Sequence, residues 1–211
     1  MKLNEKLQLI QKEMAQNVPV DILNALRQSL QNLIEQNLEH HALKVGDIAP
    51  DFTLPDAEGL PVSLYDVLQD NAVILSFFRG NWCPFCMAEL AHYQEAINNN
   101  LIDSTTVIAI TPQTIRFNHD ITIQNNLDFR ILSDKGNEIA DKYGLAYILQ
   151  ENIRKIYKNL GADLELFNDD KSHKLPIPAT YFIDKNKKII FSSVSTNYME
   201  RVDICDITFQ K

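Results

Sequence analysis

A nearly unbroken apolar segment that runs directly into two closely spaced cysteines constrains the fold of this chain more than any other feature. The segment Val73–Phe78 predicts a strand that is covered on both faces. Cys83 and Cys86 follow it, and apolar residues at helical spacing continue from there to Ile97. The sequence therefore predicts a buried strand that turns into a helix at the cysteine pair.

Strands and helices alternate through the rest of the chain after residue 45. The apolar patterns predict strands at 106–110 and 129–132, helices at 115–125 and 136–143, and a closing hairpin of 180–184 and 188–191. Residues 146–175 form a longer, partly helical insertion. Alternation that ends in a hairpin predicts an α/β fold with a central mixed sheet flanked by helices.

The first 45 residues have a different pattern. Apolar residues at helical spacing occur before Pro19 and again after it, which predicts two helices. We therefore divide the chain into an N-terminal helical extension, 1–45, and a main domain, 46–211, that carries the insertion. The extension either packs on the main domain or forms a contact in a homodimer.

Charge and hydropathy exclude several classes of function. The chain has 20 Lys and Arg against 28 Asp and Glu, a formal net charge of −8, so we expect no nucleic-acid partner. No apolar stretch approaches the roughly 20 residues of a membrane span, and we expect no membrane partner. Charged residues at the N-terminus occupy the place of the apolar part of a secretory signal. We expect a cytoplasmic protein.

The cysteine pair predicts redox chemistry. Three cysteines are too few for a disulfide scaffold, and a close pair at a helix start indicates a redox centre. The helix N-terminus stabilises a thiolate, so Cys83 should be an exposed nucleophile and Cys86 its disulfide partner. A zinc site would need four ligands, and we expect neither a metal nor a cofactor. Inert packing of the pair is the alternative, and Cys205 is interpreted as structural or incidental.

Several segments carry a family resemblance. The run Trp82–Cys86 resembles the WCxxC motif of the thioredoxin superfamily. Together with the segments 46–52, 78–86, 111–114 and 175–180, it looks like the peroxiredoxin-like branch of the AhpC/TSA family. This resemblance implies a thioredoxin-like fold and peroxide or disulfide chemistry supported by cellular thiols.

The motif departs from that of ordinary peroxiredoxins. The PxxxTxxC signature of those enzymes ends in the peroxidatic cysteine. If Cys86 is aligned with that cysteine, Cys83 takes the position of the threonine and Arg79 that of the proline. The position of their active-site arginine is taken by Pro178, which instead resembles the cis-proline beside the thioredoxin motif. Family alignment thus makes Cys86 the attacking residue, whereas exposure and the helix dipole favour Cys83.

The resemblance implies a peroxidase of the thioredoxin-dependent peroxiredoxin class. One cysteine would attack hydrogen peroxide or an organic hydroperoxide, the other would form a disulfide with it, and thioredoxin or another thiol would reduce the pair. Two alternatives stay open, a disulfide reductase and a redox-sensing module. Four residues are candidates for binding or support: Arg79, Trp82, Thr111 and Pro178. Their simpler interpretations are a solvated charge for Arg79, core packing for Trp82 and a helix cap for Thr111.

Overall fold

The computed structural model describes residues 1–207, apart from the side chain of Cys205. The expectation that Cys205 is structural or incidental therefore concerns a side chain outside the described residues. In the described part of the chain, no helix combines the length and the apolar character needed to cross a bilayer.

Eight α-helices and nine strands alternate along the described residues. The helices are α1 (Leu3–Asn17), α2 (Val20–Glu35), α3 (Leu64–Asp70), α4 (Pro84–Asn98), α5 (Ile115–Gln124), α6 (Glu138–Lys142), α7 (Glu151–Asn159) and α8 (Leu164–Asn168). The strands are β1 (Thr53–Pro55), β2 (Pro61–Ser63), β3 (Val73–Phe77), β4 (Val107–Thr111), β5 (Arg130–Ser133), β6 (Ala146–Ile148), β7 (Lys174–Pro176), β8 (Ala179–Ile183) and β9 (Ile189–Val194).

A five-stranded mixed sheet forms the centre of the molecule, in the order β5-β4-β3-β8-β9. Strands β3, β4 and β5 run parallel, whereas β8 pairs antiparallel with both β3 and β9. The predicted fold, a mixed sheet flanked by helices, is confirmed. Two further strand pairs, β1-β2 and β6-β7, lie outside this sheet.

Strand β3 is the central strand, and all five of its residues are buried. Leu75 and Phe77 face one hydrophobic core, while Ile74 faces a second core on the other side of the sheet. Side chains of a strand alternate between faces, so a strand with a core on each side needs apolar residues at almost every position. This explains the continuous apolar run in the sequence.

The hairpin of β1 and β2 and the helix α3 were not predicted. The sequence of this region indicates an extended segment, 46–54, and a turn at 56–59. The structure adds pairing between Thr53–Pro55 and Pro61–Ser63. Each strand has only three residues. Alternation over three residues is too short to be distinguished from an irregular extended segment.

The two N-terminal helices pack against the main domain. Leu3 and Leu7 of α1 are buried in the same core as Leu90 of α4. Leu26 of α2 is buried in a third core with Tyr157 of α7. These helices therefore lie over the same end of the sheet as the cysteine pair, and their status as a separate unit stays a prediction.

Candidate active site

Cys83 lies at the point where the chain enters helix α4. It is the N-cap residue of this helix, and Pro84 occupies the first helical position. Proline fits there because its fixed φ suits a helix and the missing N–H would have no helical partner. The carbonyl of Cys83 accepts hydrogen bonds from the N–H of Cys86 and of Met87, both at 3.1 Å. Both cysteines thus lie in the first turn, where the helix dipole favours negative charge.

Neither cysteine is exposed, and the expectation of an exposed Cys83 is wrong. The exposed fraction is 2% for Cys83 and 0% for Cys86. The reason is the cover formed by the N-terminal helices and α7, whose Met14, Leu26 and Tyr157 lie above Trp82 and Cys83. This cover depends on contacts between segments more than 50 residues apart in the sequence.

Arg79 is buried beside the cysteines, so its interpretation as a solvated charge is wrong. Only 2% of the residue is exposed, and its Nη2 donates a hydrogen bond to the hydroxyl of Tyr157. Its guanidinium carbon lies 4.3 Å from the ring centroid of Tyr198, 4.8 Å from that of Trp82 and 5.3 Å from that of Tyr157. Cation–π contacts of this kind partly replace the water that the charge has lost.

The charge of Arg79 acts directly on Cys83. Burial by itself lowers the pKa of Arg79, but its electrostatic neighbours hold it well above the ordinary value. These neighbours are the phenols of three tyrosines and the thiol of Cys83. A phenol ordinarily ionises near pH 10, so Cys83 is the neighbour that can offer a negative charge near neutral pH.

The two thiols have opposite pKa shifts. Burial opposes ionisation of Cys83, but a hydrogen bond from Cys86 and the charges of Arg79 and Arg201 lower the pKa of Cys83 to about 6. Burial and the neighbouring Cys83 raise the pKa of Cys86 well above its usual range. The surroundings of the pair therefore favour ionisation of Cys83 over ionisation of Cys86.

Sequence reasoning missed a buried network beneath Cys86. Arg201 Nη2 lies 3.2 Å from Cys86 Sγ, and Arg201 Nε donates to Glu89 Oε2 at 2.6 Å. Glu89 also accepts a hydrogen bond from the Tyr93 hydroxyl at 3.0 Å. The position of Glu89, three residues after Cys86 on a helix, is a signal that could have found it. Arg201 lies 115 residues from Cys86 and follows the last strand, where no local pattern marks it.

Trp82 lines the same cavity as Cys83, whereas neither Pro178 nor Thr111 lines it. The ring of Trp82 is 5.5 Å from that of Tyr157. Pro178 immediately precedes Ala179, which pairs with Phe77 at the end of β3. No peptide bond between described residues is cis, so the bond before Pro178 is trans and its expected likeness to a cis-proline is wrong.

Thr111 ends strand β4 and is fully buried. Its suggested role as a helix cap is wrong, because Thr114 is the N-cap residue of α5. The Thr111 hydroxyl has no hydrogen-bond partner within the described part of the chain.

The loop before Cys83 is held by the segment that follows β4. Gln113 Oε1 accepts a hydrogen bond from the N–H of Asn81 at 2.5 Å, and Gln113 Nε2 donates to Asn81 Oδ1 at 3.2 Å. Gly80 has φ +149°, and a Cβ on it would lie 2.5 Å from Trp82 Nε1 and 2.7 Å from Gln113 Oε1. This position requires glycine, both for its backbone conformation and for space.

A cavity of about 210 Å³ lies above Cys83. It takes walls from α1, α2, α7 and the segment after β9: Met14, Val18, Leu26, Tyr157, Leu160 and Tyr198. Arg79 and Cys83 also line it. A larger cavity of about 720 Å³ lies beyond Gln113, at the ends of β4 and β5, and neither Cys83 nor Cys86 lines it. The smaller cavity is therefore the one that leads to the sulfur whose pKa is lowered.

Comparisons with known proteins relate this chain to one family. The model of the AhpC/TSA family matches residues 45–192. A protein of Coxiella burnetii named as the peroxiredoxin bcp is 29% identical over 61% of this chain and 84% of its own length. The thiol-disulfide oxidoreductase ResA of Bacillus thuringiensis is 26% identical over 70% of this chain and 68% of its own length.

A likeness to solved structures supports the fold. The crystal structure of peroxidoxin BcpB from Mycobacterium tuberculosis has a TM-score of 0.59 and 23% identity. The similarity covers 74% of this chain and 89% of that chain. At this identity the likeness concerns the fold alone. The sequence relatives include both peroxiredoxin-type and thiol-disulfide proteins, and oxidoreductase chemistry is common to the two.

Proposed function

This chain belongs to the AhpC/TSA family, and we propose that it is a thiol-dependent peroxidase that reduces hydroperoxides through Cys83 and Cys86. Its relatives support an oxidoreductase of the peroxiredoxin and thioredoxin family. The substrate class and the roles of the two cysteines are our proposal. The observation that carries it is the buried charge of Arg79 beside Cys83.

A buried cation is costly unless a negative charge or strong dipoles lie near it. Cys83 supplies that negative charge as a thiolate, and the same thiolate is the species that attacks peroxides. Arg79 also has an Nε–H without an acceptor among the described residues. This group supports donation to a peroxide oxygen that enters the cavity, which would stabilise the charge that develops on the leaving oxygen.

The proposed reaction begins with Cys83. Its thiolate attacks one oxygen of the O–O bond, the bond breaks, and the other oxygen leaves as alkoxide or hydroxide and takes a proton. Cys83 is then a sulfenic acid. The Cys86 thiol attacks its sulfur, water leaves, and a Cys83–Cys86 disulfide forms. Two thiol groups of an external reductant, thioredoxin or another thiol, return both cysteines to the reduced state.

The assignment of Cys83 as the attacking residue departs from the family signature, which would place Cys86 in that role. Cys83 lines the cavity, whereas Cys86 is fully buried behind it. The pKa of Cys83 is lowered and that of Cys86 is raised. Both differences support attack by Cys83 and resolution by Cys86.

Separate serine variants test this assignment. Reduced wild type, Cys83→Ser and Cys86→Ser are treated with peroxide in the presence of a sulfenic-acid trap, and peroxide consumption is measured with dithiothreitol and with thioredoxin. We expect a trapped adduct on Cys83 in Cys86→Ser and none in Cys83→Ser. An adduct confined to Cys86 would reverse the assignment, and no peroxide consumption by wild type would overturn the peroxidase proposal.

Disulfide reduction is the second candidate, and the motif Trp82–Cys86 and the likeness to ResA favour it. In that reaction Cys83 attacks a protein disulfide, and Cys86 releases the mixed disulfide. Both sulfurs are buried, so a disulfide within a folded partner would reach Cys83 only after the N-terminal helices move, as would thioredoxin acting as the reductant of the peroxidase. Reduction of insulin by wild type, lost in Cys83→Ser, would support this candidate over the first.

A further inference from the structure

The cavity above Cys83 has one reactive end and otherwise apolar walls. Arg79 and Cys83 form the reactive end, and Arg79 is the charged residue in the lining. Met14, Val18 and Leu26 form part of the remaining wall. Such a cavity suits a molecule with one small polar group and a hydrocarbon body.

Hydrogen peroxide alone would use this space poorly. Each water takes about 30 Å³ in the liquid, so the cavity of about 210 Å³ has room for several molecules of that size. Burying a hydrocarbon there would instead gain about 25 cal/mol for each Å² removed from water. A phenyl or short branched alkyl group attached to the peroxide is the natural occupant of the remaining space.

Part of the wall of this cavity comes from outside the family domain. The family model covers residues 45–192, whereas Met14, Val18 and Leu26 precede it and Tyr198 follows it. The segments before and after the family domain therefore complete a cavity whose remaining wall belongs to that domain. The N-terminal helices thus do more than pack on the domain, because they also supply side chains to the wall of the cavity.

We infer that this cavity is a substrate pocket that selects organic hydroperoxides with a compact hydrocarbon group, and that α1 and α2 set this selectivity. The inference rests on the peroxidase function proposed above. The O–O group lies at Cys83 and Arg79, and the hydrocarbon lies between Val18, Leu26 and Tyr157. The alcohol produced from the substrate keeps the same hydrocarbon and therefore binds in the same place.

Two matched variants test the pocket. Val18→Phe places a larger side chain in the cavity, and Val20→Phe places the same side chain two residues away, where Val20 is 70% exposed. Both are assayed beside wild type with cumene hydroperoxide and with hydrogen peroxide, using dithiothreitol as the electron donor. We expect Val18→Phe to lower kcat/KM for cumene hydroperoxide by about tenfold or more, in line with the effect of misfit in an apolar pocket. Turnover of hydrogen peroxide should fall much less.

Binding is measured independently of turnover. The chain has one tryptophan, Trp82, which lines the cavity, so its fluorescence reports on the site. Reduced protein is titrated with 2-phenyl-2-propanol, the alcohol formed from cumene hydroperoxide. We expect a saturable change in wild type and in Val20→Phe that is lost in Val18→Phe.

The outcomes separate the two proposals. If both peroxides are consumed with equal efficiency in wild type and in Val18→Phe, and the alcohol does not bind, the pocket is overturned and the peroxidase function stands. If the alcohol binds but neither peroxide is consumed, the peroxidase function is overturned together with the assignment of hydroperoxides to the pocket. Equal losses in Val18→Phe and Val20→Phe would also overturn the pocket, since they would reflect general damage to the helices.

Discussion

Replacement of Arg79 by methionine should raise the pKa of Cys83 and slow its reactions below neutral pH. The charge of Arg79 is the largest of the charge effects that lower the pKa of Cys83, and only the hydrogen bond from Cys86 lowers it more. Methionine is long, flexible and apolar, so it can occupy a space among aromatic rings without adding a polar group. Arg79→Met therefore removes the charge and disturbs the packing little.

The size of the effect follows from the burial of both groups. A positive charge within about 4–6 Å lowers the pKa of a negative group by about 1–3 units. We expect the pKa of Cys83 to rise from about 6 by about 1–2 units in Arg79→Met, because Arg201 continues to act on it. At pH 6 the thiolate fraction would then fall about five- to fiftyfold. Above pH 8.5 the two proteins should react at similar rates.

The same shift predicts a pH dependence of stability in the reduced protein. The pKa of Cys83 is lower in the folded state than the value of about 8.5 in an unfolded chain. The thiolate therefore adds stability that is fully present above about pH 8.5 and is lost as the pH falls toward 6. This part of the pH dependence should be weaker in Arg79→Met.

The assay uses the Cys205→Ser background, which leaves the two cysteines of the pair. Thiolate absorbance is followed against pH, and alkylation of the pair by iodoacetamide is followed by mass spectrometry. Arg130→Met, at an exposed position of β5, is the matched control. If Arg79→Met stays folded by circular dichroism and still loses its first proton near pH 6, Arg79 does not stabilise the thiolate. An equal rise of the pKa of Cys83 in Arg130→Met would also refute the explanation by the nearby charge of Arg79.

Three further perturbations test the support of the site. Leu7→Ala should lower the free energy of unfolding by about 2–4 kcal/mol, because Leu7 is buried against the main domain; an unchanged denaturation midpoint would mean that α1 does not pack there. Gly80→Ala should shift the fluorescence of Trp82 and lower the free energy of unfolding by about 1–3 kcal/mol, since the new Cβ would overlap the indole. An unchanged spectrum and an unchanged stability would contradict this. Arg201→Met should lower the free energy of unfolding by about 3–5 kcal/mol, because it leaves the buried carboxylate of Glu89 without its ion pair. The double variant with Glu89→Gln should recover part of this loss in urea denaturation.

The sequence predicted those parts of the fold that depend on local pattern. Val73–Phe77 was found as a buried strand because a core lies on each side of it. The hairpin of Thr53–Pro55 and Pro61–Ser63 was not predicted, because strands of three residues are too short to show an alternation of apolar and polar side chains. Cys83 and Cys86 were found because their spacing and the helix that follows them are local too.

The surroundings of the cysteines could not be predicted in the same way. Arg79 follows a strand, a place where a charge is ordinarily solvated. Nothing nearby in the sequence shows that the rings of Tyr157 and Tyr198 cover it. Arg201 contacts Cys86 across 115 residues. Contacts of this kind are decided by how distant segments pack, and a single sequence contains no periodic signal for them.

The two buried arginines have a consequence for the energetics of electron transfer. In the reduced protein, Arg79 and Arg201 face two negative groups, the Cys83 thiolate and the Glu89 carboxylate. Formation of the disulfide removes the thiolate and leaves an excess positive charge on two side chains that are almost fully buried. This imbalance should make the disulfide strongly oxidising, as it does wherever the reduced form is the stabilised one. It should also draw an incoming thiolate toward the oxidised pair, so the enzyme would attract its reductant only after it has consumed its oxidant.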